Sequence, residues 1–287
     1  MKKLIVDKKF DNKKLSSFFM NSFCDVPFSL FYKLLRKKDI RINDVRVHED
    51  VLVHLGDEVV VFIQDKLVER DFPIVFEDNN ILIINKPTGI EVTNGCNSLT
   101  EALKKNYSYI EPCHRLDRNT SGLIVFARNC EALEILLNGF KNHEIEKHYA
   151  CIVVGRMPRE KDTLSSYLFK DSKKSTVYIS DTNKKGYLSI TTSYVVKKYN
   201  LEKNLSLLDI ELKTGRTHQI RAHVAHIGHP ILGDGKYGIN EINKMFKFRT
   251  QALCAYSLKF SFSKSNALDY LNEKEFSIDY PNWFNLV

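Results

Sequence analysis

The chain contains, at residues 114–127, the stretch His114-Arg115-Leu116-Asp117-Arg118-Asn119-Thr120-Ser121-Gly122-Leu123-Ile124-Val125-Phe126-Ala127. Its second half, from Gly122 to Ala127, is apolar and predicts a buried strand. Its first half predicts a polar turn in which Asp117 lies between two arginines. A carboxylate with cationic neighbours is held ionised, and an ionised carboxylate can serve as a nucleophile or a general base. On these residues alone, an Asp–Arg surface pair at the start of a strand explains the turn equally well.

The sequence on both sides of this stretch is rich in strand patterns and poor in helices. A hairpin is predicted at residues 74–84, and further strands at 147–155, 187–197, 205–213, 253–262 and 274–279. Asn129 is a predicted helix cap, and another helix is predicted from Thr217 to Ile227, ended by Gly228. Many strands with few intervening helices predict an α+β fold with a mixed, largely antiparallel sheet.

The first 70 residues have a different pattern, which predicts a small α+β module. Apolar residues recur at helical spacing over 12–23 and 28–37, and short strands follow around a tight turn at Asn43-Asp44. A mostly charged segment at residues 65–75 then predicts a boundary. We therefore predict two domains, residues 1–70 and 71–287. The module's basic residues concentrate where a helix end meets a hairpin, a place that can bind phosphates, although a solvated helix end would carry such charges too.

Composition limits the class of protein. The chain has 287 residues and a formal net charge of +8, which suits a polyanionic partner without establishing one. Its six cysteines form no C-x-x-C pair, which favours reduced thiols over a disulfide framework or a structural zinc site. No apolar run approaches the roughly 20 residues of a membrane span, and the N-terminus lacks a signal-peptide pattern. We expect a cytoplasmic monomer with no membrane contact.

A second polar cluster runs from Lys213 to His223 and continues to His229. Gly215 permits a sharp turn into a helix whose N-terminal N–H groups favour anions. The four histidines follow the spacing H-x-x-x-x-H-x-x-H-x-x-H, which lacks the H-E-x-x-H arrangement of zinc hydrolases. We therefore predict no metal site, with a metal-dependent hydrolase as the weaker alternative. Because phosphate-loop and dinucleotide motifs are also missing from the sequence, we predict no cofactor.

Four segments, in order, resemble the motifs of the RluA family of RNA pseudouridine synthases. They are Asn85-Lys86-Pro87-x-Gly89, then His114-Arg115-Leu116-Asp117 with Thr120-Ser121-Gly122-Leu123, then Lys147-His148-Tyr149-Ala150, and finally Gly215 to Arg221 with His223 and His229 to Asp234. In front of them, Leu35 to Asn43 and Leu55 to Val59 resemble an S4-type RNA-binding module. One departure is Cys254-Ala255, where family members usually have His-Ala.

The resemblance implies a pseudouridine synthase fold preceded by the S4-like module, and an isomerase that converts specific uridines of RNA to pseudouridine. It makes Asp117 the catalytic carboxylate, acting on the ribose as nucleophile or base, and Arg221 the cation that pairs with it. Tyr149 would stack on the target uracil and handle a proton, and Arg115 would fill the space left by the flipped base. The other predicted RNA-binding residues are Lys86, Arg216, His218, Arg36, Lys37, Lys38 and Arg41.

The sequence leaves the RNA target open between two classes. Family members with this front module often act on large ribosomal subunit RNA, so ribosomal RNA is the favoured partner and transfer RNA the alternative. A non-catalytic RNA-binding protein would be marked by the loss of Asp117 or Arg221, and both residues are present.

Overall fold

The computed structural model describes residues 2–23, 28–62, 72–93, 95 and 98–287. The chain divides into two compact units, the first comprising Met1–Asp71 with Asn94–Ala102 and the second Phe72–Thr93 with Leu103–Val287. Most of the charged segment predicted at residues 65–75, and the predicted boundary itself, lie outside the described residues. Residues 94–102, which the sequence analysis places in the second domain, group with the first unit.

The first unit is a small α+β body. Its elements are β1 (Lys2–Ile5), β2 (Lys13–Lys14), α1 (Leu15–Ser22), α2 (Phe28–Lys37), β3 (Ile40–Ile42), β4 (Val45–Val47), β5 (Leu52–Val53) and β6 (Glu58–Val61). Strands β1, β6, β3 and β4 form an antiparallel sheet, and β2 pairs with β5. Phe19, Phe31 and Leu35 are buried in the core between the helices and this sheet.

The predicted hairpin of this unit is present. Asn43 and Asp44 have φ angles of 48° and 64°, which is the backbone that a two-residue turn between β3 and β4 needs. The Asn43 side chain donates to the Asp57 carboxylate and accepts from the Glu58 N–H, so that the turn is tied to β6. The likeness to an S4-type module stays a prediction.

The second unit is organised around one large sheet. Its elements are β7 (Ile74–Glu77), β8 (Ile81–Lys86), α3 (Leu99–Leu103, at the division between the units), β9 (Glu111–Pro112), β10 (Ser121–Ala127), α4 (Cys130–Lys141), β11 (Ile145–Val154), β12 (Lys161–Asp171), β13 (Thr176–Ser180), β14 (Leu188–Asn200), β15 (Leu205–Leu212), α5 (Gln219–His226), α6 (Asn240–Met245), β16 (Leu253–Phe260) and β17 (Glu275–Ser277). The strand order is β13-β12-β14-β15-β11-β16-β10-β8-β7, with β17 beside β16 and β9 beside β10.

Strand β16 joins the two halves of this sheet. It pairs antiparallel with β11 and parallel with β10, and the other described pairings in the sheet are antiparallel. Ala255 of β16 lies opposite both Gly122 of β10 and Tyr149 of β11. The predicted α+β fold with a mixed, largely antiparallel sheet is confirmed. None of the helices in the described ranges has the length and apolar character that crossing a membrane requires.

Two features of this unit differ from the sequence analysis. Strands β12 and β13 form a hairpin that it does not predict, because hydroxyl side chains such as Thr163, Ser165 and Ser166 interrupt the apolar alternation. Helix α5 begins at Gln219 rather than at Thr217, since His218 has a φ of 52° and left-handed backbone cannot continue a right-handed helix.

Gly122 is the residue at which β10 approaches β16 most closely. Its φ is 111°, and a Cβ built there would lie 2.1 Å from the carbonyl oxygen of Ala255. We expect Gly122→Ala to lower the free energy of unfolding by about 3 kcal/mol or more, since both the backbone angle and the strand contact oppose the methyl group. Urea denaturation followed by circular dichroism measures the change. Gly235→Ala is the control, because a Cβ there meets no atom within 4 Å, and equal losses in both variants would contradict the expectation.

Candidate active site

In the second unit, Arg221 lies between Asp117 and Asp234 and forms an ion pair with each of them. Arg221 Nη1 donates to Asp117 Oδ2 at 2.9 Å. On its other side, Arg221 Nε and Nη2 donate to the two Asp234 oxygens at 2.7 and 3.0 Å. A two-pronged bond of this kind fixes both the position and the plane of a guanidinium. Arg221 is therefore held so that one N–H group meets Asp117.

Burial makes these ion pairs strong. The Asp234 side chain is fully buried, whereas the Asp117 side chain keeps 17% of its surface exposed. Burial by itself raises the pKa of Asp234, but its bonds with Arg221 outweigh that effect and hold the pKa below its ordinary value. Burial likewise opposes the charge of Arg221, and the two carboxylates more than compensate, raising its pKa. The cation therefore stays charged at every pH at which the protein is folded.

The two arginines beside Asp117 in the sequence are not its ion-pair partners in the described structure. Arg118 Nε donates instead to the Gly89 carbonyl at 3.2 Å. The Arg115 side chain is exposed and lines the cavity described below. The expected cationic surroundings of Asp117 therefore come from Arg221, which lies 104 residues along the chain.

Lys86 is predicted to contact RNA, but its side chain lies in the protein interior. Its side chain is fully buried, and its ammonium donates to the carbonyls of Pro87, Ile90 and Arg118 at 3.0, 2.9 and 3.2 Å. Burial lowers the pKa of Lys86 to about 8 although the charge of Asp117 acts in the opposite direction. Because all three ammonium donors are used, Lys86 fastens its own loop to the loop that carries Asp117. The prediction of Lys86 as an RNA-binding residue is therefore corrected.

Gly89 completes this attachment. Its N–H donates to the Arg118 carbonyl at 2.8 Å while its own carbonyl accepts from the Arg118 side chain. Within the second loop, the Thr120 N–H donates to the Asp117 carbonyl at 3.0 Å, and Gln251 Nε2 donates to Thr120 Oγ1. The segment that contains Lys86 and Gly89 and the segment that contains Asp117 are thus bonded to each other, and together they support the Asp117 carboxylate.

Asp117, Arg221 and Tyr149 line a cavity of about 390 Å³ within the second unit. Tyr149 is almost fully buried on β11, opposite Ala255 and Ile210. Burial, followed by the charge of Asp117, raises the pKa of its phenol well above the ordinary value. Tyr149 is therefore a neutral ring with an intact O–H group, which suits contact with an uncharged planar ligand.

The segment before α5 forms another wall of the cavity. The Gln219 amide oxygen accepts from the Arg216 N–H at 3.0 Å and from the Thr214 hydroxyl at 2.9 Å. Its amide nitrogen donates to the Thr191 carbonyl at 3.0 Å, which fastens the segment to β14. The Arg216 side chain is left exposed at the cavity.

His218 lies in the same wall and is neutral at physiological pH. Burial lowers its pKa, an effect that the charge of Asp117 only partly offsets. His218 Nδ1 is 2.9 Å from the Tyr237 hydroxyl, which in turn accepts from the Val177 N–H. The Tyr237 hydroxyl thus connects the His218 ring to the backbone of β13 and fixes the position of the ring.

The other three histidines of the cluster point to different partners. His223 Nδ1 lies 2.9 Å from Thr192 Oγ1, His226 Nε2 lies 2.8 Å from Asp181, and His229 Nδ1 lies 3.0 Å from the Val154 carbonyl. Burial lowers the pKa of His223 to about 4, so its ring is neutral. In the part of the chain that the structure describes, no group of three or more histidine, cysteine or acidic side chains could hold a metal ion.

The basic residues of the front module lie in the first unit. Arg36 Nε donates to the Tyr32 carbonyl at the end of α2, and the Arg41 guanidinium lies 5.1 Å from the centre of the Phe62 ring. The side chains of Lys37 and Lys38 are exposed. Their role in RNA binding stays a prediction.

Three residues of the site have no role in the sequence analysis. Asp234 holds Arg221, and Tyr237 contacts His218 by its hydroxyl and the Arg221 guanidinium by its ring, at 5.4 Å. Lys147 lines the cavity two residues before Tyr149. Asp234 and Lys147 lie inside segments that resemble the family's motifs. That position is the sequence feature that could have identified them as site residues. Nothing near Asp234 in the sequence indicates its partner.

Comparisons with known proteins agree on one family. A family profile described as RNA pseudouridylate synthase matches residues 80–226. The chain is 30% identical to ribosomal large subunit pseudouridine synthase C of Buchnera aphidicola (subsp. Acyrthosiphon pisum), over 99% of the chain and 96% of that relative. It is 32% identical to an uncharacterised RNA pseudouridine synthase of Mycoplasma capricolum, over 99% of both. The solved structure of human RNA pseudouridylate synthase domain containing 1 covers 75% of the chain and is itself covered to 84%, with a TM-score of 0.61 and 24% identity, which supports the fold alone.

The ion pair of Arg221 with Asp234 generates a stability prediction. We expect Asp234→Asn to lower the free energy of unfolding by about 3 kcal/mol near neutral pH, because the buried Arg221 guanidinium loses the carboxylate that binds it with two hydrogen bonds. The folded pKa of Asp234 is below its unfolded value of about 3.9, so the stabilisation is fully present above that value and is lost as the pH falls through the folded pKa. Urea denaturation at several pH values should show the gap between variant and wild type closing below about pH 4. The exposed Asp279→Asn is the control, and a gap that does not depend on pH would contradict the assignment.

Proposed function

The chain belongs to the RNA pseudouridylate synthase family, and on that premise we propose that Asp117 is its catalytic carboxylate and large-subunit ribosomal RNA its substrate. The sequence prediction of a pseudouridine synthase is confirmed by the family match and by the relatives. The enzyme is therefore an isomerase that acts on RNA. The residue roles and the RNA target are the parts that we propose.

The observation that carries the proposal is the composition of the cavity wall. Asp117 is the one carboxylate among the described residues that line the cavity, and it accepts a hydrogen bond from a cation that is locked in place. Its other oxygen is available to a ligand that enters the cavity. A fixed, ionised and partly exposed carboxylate is the group that chemistry at a ribose requires.

The reaction needs no external group. The bond between N1 of uracil and C1′ of ribose breaks, the base turns, and a bond forms between C5 and C1′; N1 gains a proton and C5 loses one. Asp117 would act on the ribose either as a nucleophile or as a base. Arg221 would hold the carboxylate in position and keep its negative charge stable while the base is detached.

Tyr149 fits the stacking role better than the proton-accepting role. Accepting the C5 proton would require a phenolate, and burial together with the charge of Asp117 disfavours the phenolate strongly. A neutral ring at the wall of the cavity can instead lie against the uracil and limit its rotation.

The exposed side of the cavity suits RNA. Arg115 and Arg216 project from it, and either can contact phosphates; Arg115 matches the family position that fills the space left by a flipped base. His218, which lines the same wall, would contact the bound nucleotide. The expected cytoplasmic location and monomeric state remain predictions.

The choice of ribosomal RNA rests on the relatives. Those of Buchnera and Vibrio cholerae, both 30% identical to the chain, are named for the large ribosomal subunit. Transfer RNA is the alternative substrate.

Mapping of pseudouridine in a strain that lacks the gene tests substrate and carboxylate together. We expect specific pseudouridines of large-subunit RNA to disappear, to return with the wild-type gene, and to stay absent with Asp117→Asn, which keeps the shape of the side chain and removes its charge. Asp279→Asn, an exposed carboxylate outside the cavity, should restore them. Release of tritium from C5 of uridine-labelled RNA by the purified proteins measures the same difference in vitro.

The possible results separate substrate, residue and function. Losses confined to transfer RNA would select the alternative substrate. Turnover by folded Asp117→Asn would remove Asp117 from catalysis, and a strain with an unchanged pseudouridine map would contradict the proposed function as a whole.

We also propose that residues 1–70 form an RNA-binding domain and 71–287 the catalytic domain. The support is the concentration of Arg36, Lys37, Lys38 and Arg41 between the end of α2 and strand β3. Phosphate contacts of such residues would add affinity for RNA without specifying its sequence.

Replacement of these four residues by glutamine in the full-length protein tests the RNA-binding role. We expect weaker RNA binding and a smaller dependence of the logarithm of affinity on the logarithm of salt concentration, by about one unit of slope for each phosphate that the variant no longer binds. The charge-preserving variant with Arg36→Lys, Lys37→Arg, Lys38→Arg and Arg41→Lys is the control. A slope that is the same in the glutamine variant and the wild type would show that this surface does not bind phosphates.

A further inference from the structure

Lys147 and Tyr149 lie two positions apart on β11, so their side chains leave the same face of the sheet. Both line the cavity that contains Asp117. At about 3.3 Å of rise per residue, their backbone positions are roughly 7 Å apart. A group bound by Lys147 would therefore lie close to a uracil placed against Tyr149, yet beside it rather than on it.

The ammonium of Lys147 has no counter-ion within the part of the chain that the structure describes. Among the residues that the structure describes, it forms neither a hydrogen bond nor an ion pair, and it lies over the face of the Phe140 ring, 5.0 Å from the ring centre. Its residue is only partly exposed, and burial lowers its pKa. The Lys147 charge also acts on a neighbouring histidine. The pKa of His114 is lowered to about 3, first by the burial of its own ring and then by the positive charge of Lys147. Lys147 is thus a partly desolvated cation that lacks an anion.

The rest of the cavity cannot supply that anion. Asp117, the one carboxylate among the described lining residues, is engaged by Arg221. Lys141 and Arg115 add two more cationic side chains to the lining. A partly buried cation without a partner costs free energy that a bound anion recovers, and a neutral uracil carbonyl recovers less than an ionised oxygen does.

We propose that Lys147 binds a phosphate group of the RNA strand next to the target uridine, in a phosphate subsite whose second cation is Lys141. This inference rests on the proposed function and specifies how the same cavity holds the neighbouring nucleotide. The phosphate would accept a charge-assisted hydrogen bond from the Lys147 ammonium while the uracil lies against Tyr149. The Phe140 ring, 5.0 Å from the ammonium, covers one side of this contact and shields it from water.

Kinetics of tritium release from uridine-labelled large-subunit ribosomal RNA test the subsite. Lys147→Gln should raise KM by about tenfold, the loss expected for one hydrogen bond to a charged group, with a smaller effect on kcat. Its salt slope should fall by about 0.7–0.9, the change expected when one phosphate is no longer neutralised. Lys147→Arg, which keeps the charge, should recover most of both. Lys264→Gln, an exposed lysine outside the cavity lining, controls for the overall change of charge.

A second measurement locates the phosphate. In a synthetic RNA hairpin around a uridine that the wild-type enzyme converts, each phosphate near that uridine is replaced in turn by a neutral methylphosphonate. At one flanking position the substitution should weaken binding by the wild-type protein about tenfold and leave binding by Lys147→Gln unchanged, because the partner cation is already gone.

The outcomes separate this inference from the proposed function. Wild-type turnover combined with an unchanged salt slope for Lys147→Gln, or with independent effects at every phosphate, would overturn the subsite and leave the enzyme's function intact. A wild-type protein that converts no RNA would contradict the proposed function itself. A loss in Lys147→Gln that Lys147→Arg fails to recover would overturn the subsite by showing a role in packing rather than in phosphate binding.

Discussion

The site depends on one guanidinium placed between two carboxylates. Arg221 binds Asp234 with two hydrogen bonds and Asp117 with one. The two carboxylates therefore differ in what they do for the site. Asp234 is fully buried and also accepts from the N–H groups of Lys236 and Tyr237, so it orients the cation and faces no ligand. Asp117 has a firmly held partner, and 17% of its side-chain surface remains exposed. Without Asp234, the guanidinium would lose the partner that binds it with two hydrogen bonds and would be held by one hydrogen bond to Asp117.

The centre of the large sheet gives this arrangement its rigidity. Ala255 of β16 pairs with Gly122, just after the Asp117 loop, and with Tyr149, so the strands that carry the carboxylate support and the aromatic ring lie on either side of β16. The absence of a side chain at Gly122 is what allows β10 to lie so close to β16. Lys86 then ties the neighbouring loop to the carbonyl of Arg118. The loop that carries Asp117 is therefore anchored to β10, which follows it, and to Lys86 at the end of β8.

Most local structure could be predicted because its causes are local. Asn129 accepts from the Ala132 N–H at 2.8 Å and begins α4 as its position predicts, and Asn43-Asp44 makes the hairpin turn. Prediction failed where tertiary contacts outweigh local preference. The β12–β13 hairpin carries too many hydroxyl side chains for a clear alternation, and α5 starts late because the Gln219 side chain and the Tyr237 hydroxyl hold the preceding residues in another conformation.

The sequence by itself determined the class of the fold and the family through four ordered motifs, and it predicted the acid, the cation and the aromatic ring that the family resemblance implies. Only the tertiary structure decided which groups meet. It buried Lys86, the predicted RNA contact, against backbone carbonyls and directed the Arg118 side chain to Gly89. It placed Arg221 against Asp117, as the family resemblance implies, and Asp234 behind Arg221. The physical reason is distance along the chain. Periodicity and capping report interactions over a few residues, whereas the Asp117–Arg221 pair joins segments that are 104 residues apart and that only the fold brings together.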